Sequence, residues 1–210
     1  MKLYDFSLAP SPRRVRMFIA EKGIEIPSVQ VNIREREQLT DDYRAVNPNC
    51  VVPTLELDDG TCLGESVAIC RYLEETHPEP PLMGRDAREK AVIEMWSRQA
   101  EFDGYLAAAE AVRNSAPMFE DRGLPGVPGG VPQIPALIER GRQTMGRLFP
   151  KLDRQLAANR YLAGDTFSIA DITAYVAIDF AGRAEIEIPA DCPDLARWFG
   201  EVGKRPSAAA

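Results

Sequence analysis

Apolar positions along the first third of the chain come in short runs, and along the remainder at helical spacing. KLYDF near the amino terminus predicts an opening strand. Val15, Phe18 and Ile19 then recur at i, i+3 and i+4, one face of a helix, and Gly23 stands where that helix should stop. Pro12 suits a first helical turn, with Ser11 as its cap. IPSVQVNI predicts a second strand, and Leu39 to Ala45 a short helix or turn that Asn47-Pro48-Asn49 breaks. VPTLEL and TCLG, separated by Asp58-Asp59-Gly60, predict a hairpin with its turn at Asp-Gly. A helix from Ser66 to Glu75 completes the unit, so the order is βαβ followed by ββα.

HPEPPLMGRDA follows, a proline-rich linker, and beyond it no run reads as a strand. Val92, Met95, Trp96, Gln99, Phe102 and Leu106 mark one helix face. Residues 114–135 carry so many Gly and Pro that they must form a loop. A helix over 134–158 turns Leu137, Ile138, Met145, Leu148, Leu152 and Leu156 mostly inward, and two more are expected near 168–182 and 193–203. The expected class is α/β followed by all-α: an α/β domain over residues 1–77, a linker over 78–87, and a helical domain over 88–210.

Composition narrows the function classes. A net charge of −7 argues against a nucleic-acid role, which needs a basic footprint. The start of the chain lacks the apolar run and cleavage site of a signal peptide, and no stretch approaches a membrane span. With one histidine, His77, there is no His-rich metal site, and any Ser-His-Asp triad would have to be built on His77. The four cysteines (Cys50, Cys62, Cys70, Cys192) have neither CxxC nor zinc spacing. Reduced thiols, no metal and a cytoplasmic location are the expectation.

Three short motifs carry candidate chemistry. Pro53 enters a strand although it cannot donate to the ladder. Either Val52-Pro53 is trans at a strand start, or it is cis and turns the Val52 backbone outward to pair with an extended peptide. Glu65-Ser66 opens a helix. The pair is either a plain cap and a dipole-friendly acid, or it grips an α-amino acid by its two charged ends. Ser168 and Asp171 form a capping box, a folding device rather than a catalytic one.

SPRRVRMFIAEKG, NPNCVVPTLEL, GESVAICRYLEE and YLAGDTFSIADITAY stand in series across nearly the whole chain, and with them the sequence resembles the cytosolic glutathione transferase family. The branches it looks most like are the bacterial, zeta, theta and phi-like ones, which use serine or asparagine rather than tyrosine. The resemblance implies an amino-terminal thioredoxin-like domain followed by a carboxy-terminal helical bundle. It implies glutathione as co-substrate, with the Val52 backbone pairing with the cysteinyl part beside a cis Pro53. Glu65 and Ser66 would hold the γ-glutamyl end, and Gln38 lies toward the glycine carboxylate. Relatives place a polar pair just before the Val-Pro; here Cys50 and Val51 stand there. The usual catalytic serine position is Ala9, which leaves Ser11 as the catalytic candidate, with Ser7 and the helix amides as alternatives.

Lowering a thiol pKa by about two units takes about 2.7 kcal/mol. One hydroxyl donor to an anion supplies about 1.5–3 kcal/mol, and a helix amino terminus about 0.3–1. Ser11 with the helix amides is therefore sufficient on paper. The implied activity is conjugation of the glutathione thiolate to a small hydrophobic electrophile, in a pocket bordered by Tyr105, Arg113 and Asn114. A glutathione-dependent disulfide reductase or peroxidase and a non-catalytic binding protein are the alternatives. The resemblance also implies a homodimer through residues 88–112, with a neighbour's Asp103 near the glutathione ammonium, and a detoxification role. Among the cysteines, Cys62 and Cys70 are expected in the core and Cys50 nearest the site.

Overall fold

The computed structural model describes residues 1–210. Four strands, β1 (Lys2–Asp5), β2 (Ser28–Gln30), β3 (Thr54–Glu56) and β4 (Cys62–Leu63), form one mixed sheet in the order β2-β1-β3-β4. β1 runs parallel to β2 and antiparallel to β3, in the register Leu3↔Ser28 and Leu3↔Leu55, and β4 closes the hairpin with Leu55↔Leu63. The parallel pair requires a crossover, which α1 (Pro10–Lys22) supplies. Gly23, at φ 63°, ends α1 and returns its N–H to Ile19 and Ala20, the left-handed stop that the sequence predicts. Val15, Met17 and Phe18 of α1 are fully buried together with Ile69 and Leu73 of α3 (Ser66–Thr76). A short helix, α2 (Asp41–Val46), capped by Thr40, leads into the turn before β3. This is the thioredoxin-like arrangement.

From Ala87 onward the chain is helical, with no strand in the sheet. α4 (Ala87–Gln99) continues through a π-helical stretch, Ala100–Leu106, into α5 (Ala107–Ser115). α6 (Pro135–Ala158), α7 (Ile169–Ala181) and α8 (Pro193–Gly203) complete the bundle. Every residue of α7 except Asp179 is buried, so this helix is the axis on which α1, α4, α5 and α8 pack. The π turn departs from the simple stripe read along 92–106: Trp96 is buried, but Met95, Phe102 and Leu106 are 48%, 56% and 46% exposed. Each i→i+5 step advances the register by one residue, which rotates Phe102 and Leu106 off the core, whereas Met95 lies before the π stretch on the open side of α4. Gly104, inside that stretch, lets Leu148 and Ala177 approach; an added Cβ would lie 3.1 Å from the Leu148 side chain.

Two buried polar devices hold the fold. Lys22 and Glu74 pair at 2.6 Å beneath the linker. Lys22 also donates to the Pro80 carbonyl, and Glu74 accepts from the Leu82 and Met83 amides, so the pair ties α1 and α3 to residues 80–83. Asp171 is the other. It completes the expected capping box with Ser168 and also accepts from the Leu162 amide and Trp198 Nε1, each at 3.0 Å.

Cys62 is exposed rather than in the core, because β4 is a two-residue edge strand and Cys62 lies on its open side. Cys70 is buried as expected, and Cys50 and Cys192 are buried as well.

Candidate functional site

The amino termini of α1 and α3 meet. Ser11 Oγ lies 2.7 Å from Ser66 Oγ, and Ser66 Oγ lies 3.0 Å from the Ser11 carbonyl oxygen. Neither serine is a helix cap. α1 begins one residue before Ser11, at Pro10, whose ring presets the helical φ, so Ala9 occupies the cap position and Ser11 falls inside the first turn. In α3 the cap is Glu65 and Ser66 is the first helical residue. Both hydroxyls are thereby released from capping and face each other.

Each hydroxyl has one proton, which limits the arrangement to two states. If Ser66 donates to the Ser11 carbonyl, Ser11 must donate to Ser66. If Ser66 donates to Ser11 Oγ instead, the Ser11 proton is free for a third group. A free anion at this corner favours the second state.

Glu65 has φ 63° and ψ 119°, outside the left-handed helical well and strained for a residue with a Cβ. Its side chain is exposed and makes no hydrogen bond. Opposite, the turn before β3 is over-determined. Tyr43 Oη and Asn47 Nδ2 both donate to the Val51 carbonyl, at 2.7 and 3.0 Å, and Asn47 Nδ2 also reaches Thr54 Oγ1 at 2.9 Å. The Val52-Pro53 bond is cis. The main-chain N–H and C=O of Val52 make no hydrogen bond within the chain, so one strand-like rung is open to an incoming peptide. Cys50, at φ 54°, is buried under this turn with its thiol toward the Pro48 carbonyl, and so does not present a thiol to the cleft.

Gln38 sits in a short 3₁₀ turn, Glu37–Leu39. Its Oε1 is buried without a partner, and no hydrogen bond links it to the other expected site residues. Ser7, the weaker alternative, is exposed at the end of β1, where its amide donates to Gln30 and its carbonyl accepts from Arg16.

The helical half supplies the opposite wall. The Tyr105 hydroxyl faces the Ser11 hydroxyl, and burial raises its pKa above the usual phenol value. The Arg14 guanidinium stands 4.5 Å over the Tyr105 ring and pairs at 2.9 Å with Glu101, and Phe180 stacks on the ring from another side. Asn114, expected at the pocket's edge, is instead committed to structure. Its Oδ1 accepts from the Ile134 amide and its Nδ2 donates to the Glu110 carbonyl. Helical spacing alone cannot separate such a side chain from its neighbour Arg113, because the donor, the Ile134 amide, lies 20 residues away.

The Gly/Pro-rich loop after α5 folds back over the thioredoxin-like unit. Arg122 donates to the carbonyls of Ile33 and Arg34. Gly126, at φ 72°, packs so closely that a Cβ there would lie 2.2 Å from the Asn49 carbonyl oxygen. No group of His, Cys, Asp or Glu is spaced to hold a metal ion, and no helix is long and apolar enough to cross a membrane.

Known proteins share this arrangement. The glutathione S-transferase N-terminal domain family matches residues 9–76, and the glutathione S-transferase C-terminal domain family matches residues 125–206. Glutathione S-transferase 2 of Saccharomyces cerevisiae is 31% identical, over 99% of this chain and 87% of its own length. The crystal structure of a glutathione S-transferase domain-containing protein from Marinobacter aquaeolei superposes with a TM-score of 0.91 at 37% identity, covering 99% of both chains. That of a class Gtt2 glutathione S-transferase from Vibrio parahaemolyticus gives 0.83 at 38% identity, covering 99% of this chain and 94% of its own.

Proposed function

The chain belongs to the glutathione S-transferase family, and on that premise we propose that it conjugates the thiolate of glutathione to a small, mostly hydrophobic electrophile. The observation that carries the reading is the 2.7 Å contact between Ser11 and Ser66, which brings two helix amino termini to one point. Such a corner suits two anions at once, a thiolate and a carboxylate.

In this reading the cysteinyl part of glutathione pairs with the open Val52 rung beside Pro53. The γ-glutamyl carboxylate lies on the first amides of α3, and Glu65 takes the ammonium group. Gln38 lies toward the glycine carboxylate. Ser66 then donates to Ser11, and Ser11 donates to the sulfur, so Ser66 is a positioning residue for Ser11 as well as part of the γ-glutamyl site. The charge-assisted bond from Ser11 contributes about 1.5–3 kcal/mol, enough with the α1 amides to hold the thiolate at neutral pH. The thiolate attacks the electrophilic carbon, the C–S bond forms, and the leaving group departs with its electron pair. Ala9 has no side-chain donor and takes no part.

We further propose the division 1–77, 78–87 and 88–210 into glutathione-binding domain, linker and helical domain. A homodimer through residues 88–112 accounts for the exposed Met95, Phe102 and Leu106, three large apolar side chains on one stretch of helix. A monomer by light scattering overturns that part. A cytoplasmic, detoxifying role fits the same reading.

The test is ultraviolet titration of glutathione onto the protein near neutral pH. A saturable thiolate band that Ser11→Ala abolishes, and that Ser66→Ala weakens, supports the scheme. Binding without the band favours the disulfide-exchange or ligand-holding alternatives, and no binding removes the enzyme reading.

A further inference from the structure

The Arg113 guanidinium is half-buried in the helical half without a counter-charge. No carboxylate lies within 4.0 Å of it, whereas the nearby acid Glu110 is paired with Arg140. Its one hydrogen bond is from Nη1 to the Arg122 carbonyl, at 3.0 Å, and its cation lies 4.9 Å over the Phe119 ring. Nε and Nη2 have no partner in the chain, and neither is sealed from solvent. Burial lowers its pKa from the usual guanidinium value, and the only titratable group acting on it is Tyr105. Arg113 stands eight residues after Tyr105, two turns along the same face, and Tyr105 faces Ser11. Arg14, the other guanidinium against Tyr105, is neutralised by Glu101.

A half-buried guanidinium with two free donors and no acid beside it offers an anion both charge and hydrogen bonds. Planar guanidinium donors match a carboxylate or similar oxyanion with two parallel bonds. Phe119 lies against the guanidinium and Phe180 against the Tyr105 ring, so apolar surface adjoins both.

We propose that Arg113 makes the second-substrate pocket selective for electrophiles that carry a carboxylate or comparable oxyanion on an apolar body. The proposal rests on the glutathione reading above and names the substrate class of that same site. The reacting carbon would lie near Ser11 and Tyr105, with the anionic group toward the Arg113 end of the helix.

Calorimetry with S-hexylglutathione and its ω-carboxylate analogue separates the two readings. The unaltered protein should bind the carboxylate-tailed compound at least tenfold more tightly. Arg113→Gln should erase that preference while leaving the S-hexylglutathione Kd within about twofold, and Arg113→Lys, which keeps the charge but not the fork, should retain part of it. Far-ultraviolet melts identify any variant that fails to fold; Arg113→Lys then carries the comparison. Equal affinity of the unaltered protein for both compounds overturns the proposal and leaves the transferase reading intact. Equal weakening of both by Arg113→Gln also overturns it, since it puts the guanidinium on the glutathione part. Binding of neither compound takes down both readings.

Discussion

Replacing Asp171 with Ala should destabilise this protein severely without touching its glutathione chemistry. The carboxylate is fully buried and accepts four hydrogen bonds, from the amides of Leu162 and Ser168, the Ser168 hydroxyl and Trp198 Nε1, at 3.0–3.1 Å. Alanine removes every acceptor and leaves three N–H groups in a site that water does not reach. Each orphaned donor costs about 1–3 kcal/mol, and because neighbours share the damage a total of about 3–5 is expected. For a chain of this size about 1 kcal/mol shifts Tm by about 2–4 °C, so the melting temperature should fall by roughly 6–20 °C. Asp171→Asn keeps one acceptor oxygen, and its amide can donate to the Ser168 hydroxyl. It orphans a single amide and should lose about 1–3 kcal/mol, ranking between the parent and Asp171→Ala. Differential scanning calorimetry gives the order, and glutathione titration well below the transition gives the affinity, which should be unchanged. A melting temperature for Asp171→Ala within about 2 °C of the parent would mean that the four bonds are worth almost nothing, contrary to this expectation.

The same residue sets a pH dependence. Burial pushes the Asp171 pKa up to about 6 against an ordinary 3.8, despite its four donors. The native state therefore binds the proton more tightly than the unfolded chain, and the contribution of this group is full below the ordinary value and lost as pH rises through about 6. Urea unfolding between those values should show that negative slope in the parent and not in Asp171→Asn; parallel curves would contradict it. Thiol labelling should find one fast cysteine, Cys62, with Cys50, Cys70 and Cys192 protected until the protein unfolds. Cys70 should be the least reactive, its thiol pushed up to about 12 by burial, and a fast phase that survives Cys62→Ser would refute this assignment. Gly126→Ala should cost about 2 kcal/mol or more, since a left-handed residue gains a Cβ that meets the Asn49 carbonyl. The loop should then detach from the Asn49–Val51 turn and become the first site of limited proteolysis; an unchanged cleavage pattern and Tm would show that the contact is not needed.

The two-part architecture was legible in the sequence because its signals are local. A helix face repeats within four residues, Gly23 stops α1 through bonds to Ile19 and Ala20, and the Ser168–Asp171 box spans three positions. The cis Val52-Pro53 bond stood as one of two open readings, and its surroundings were hidden because Asn47 and Tyr43 reach it only after the chain has turned. What the sequence could not determine depends on partners far along the chain. Ser11 and Ser66 each look like a cap when read alone, and only packing of α1 against α3 brings their hydroxyls together across 55 residues. Cys62 reads as apolar core until the sheet order makes its strand an edge. Asn114 and Arg113 are neighbours on one helix, yet the fold gives the first a structural acceptor's role and leaves the second without an acid partner. Local hydrogen bonding chooses the elements. Which side chains are paired, and which are left free for chemistry, follows from burial and from contacts that exist only once those elements pack.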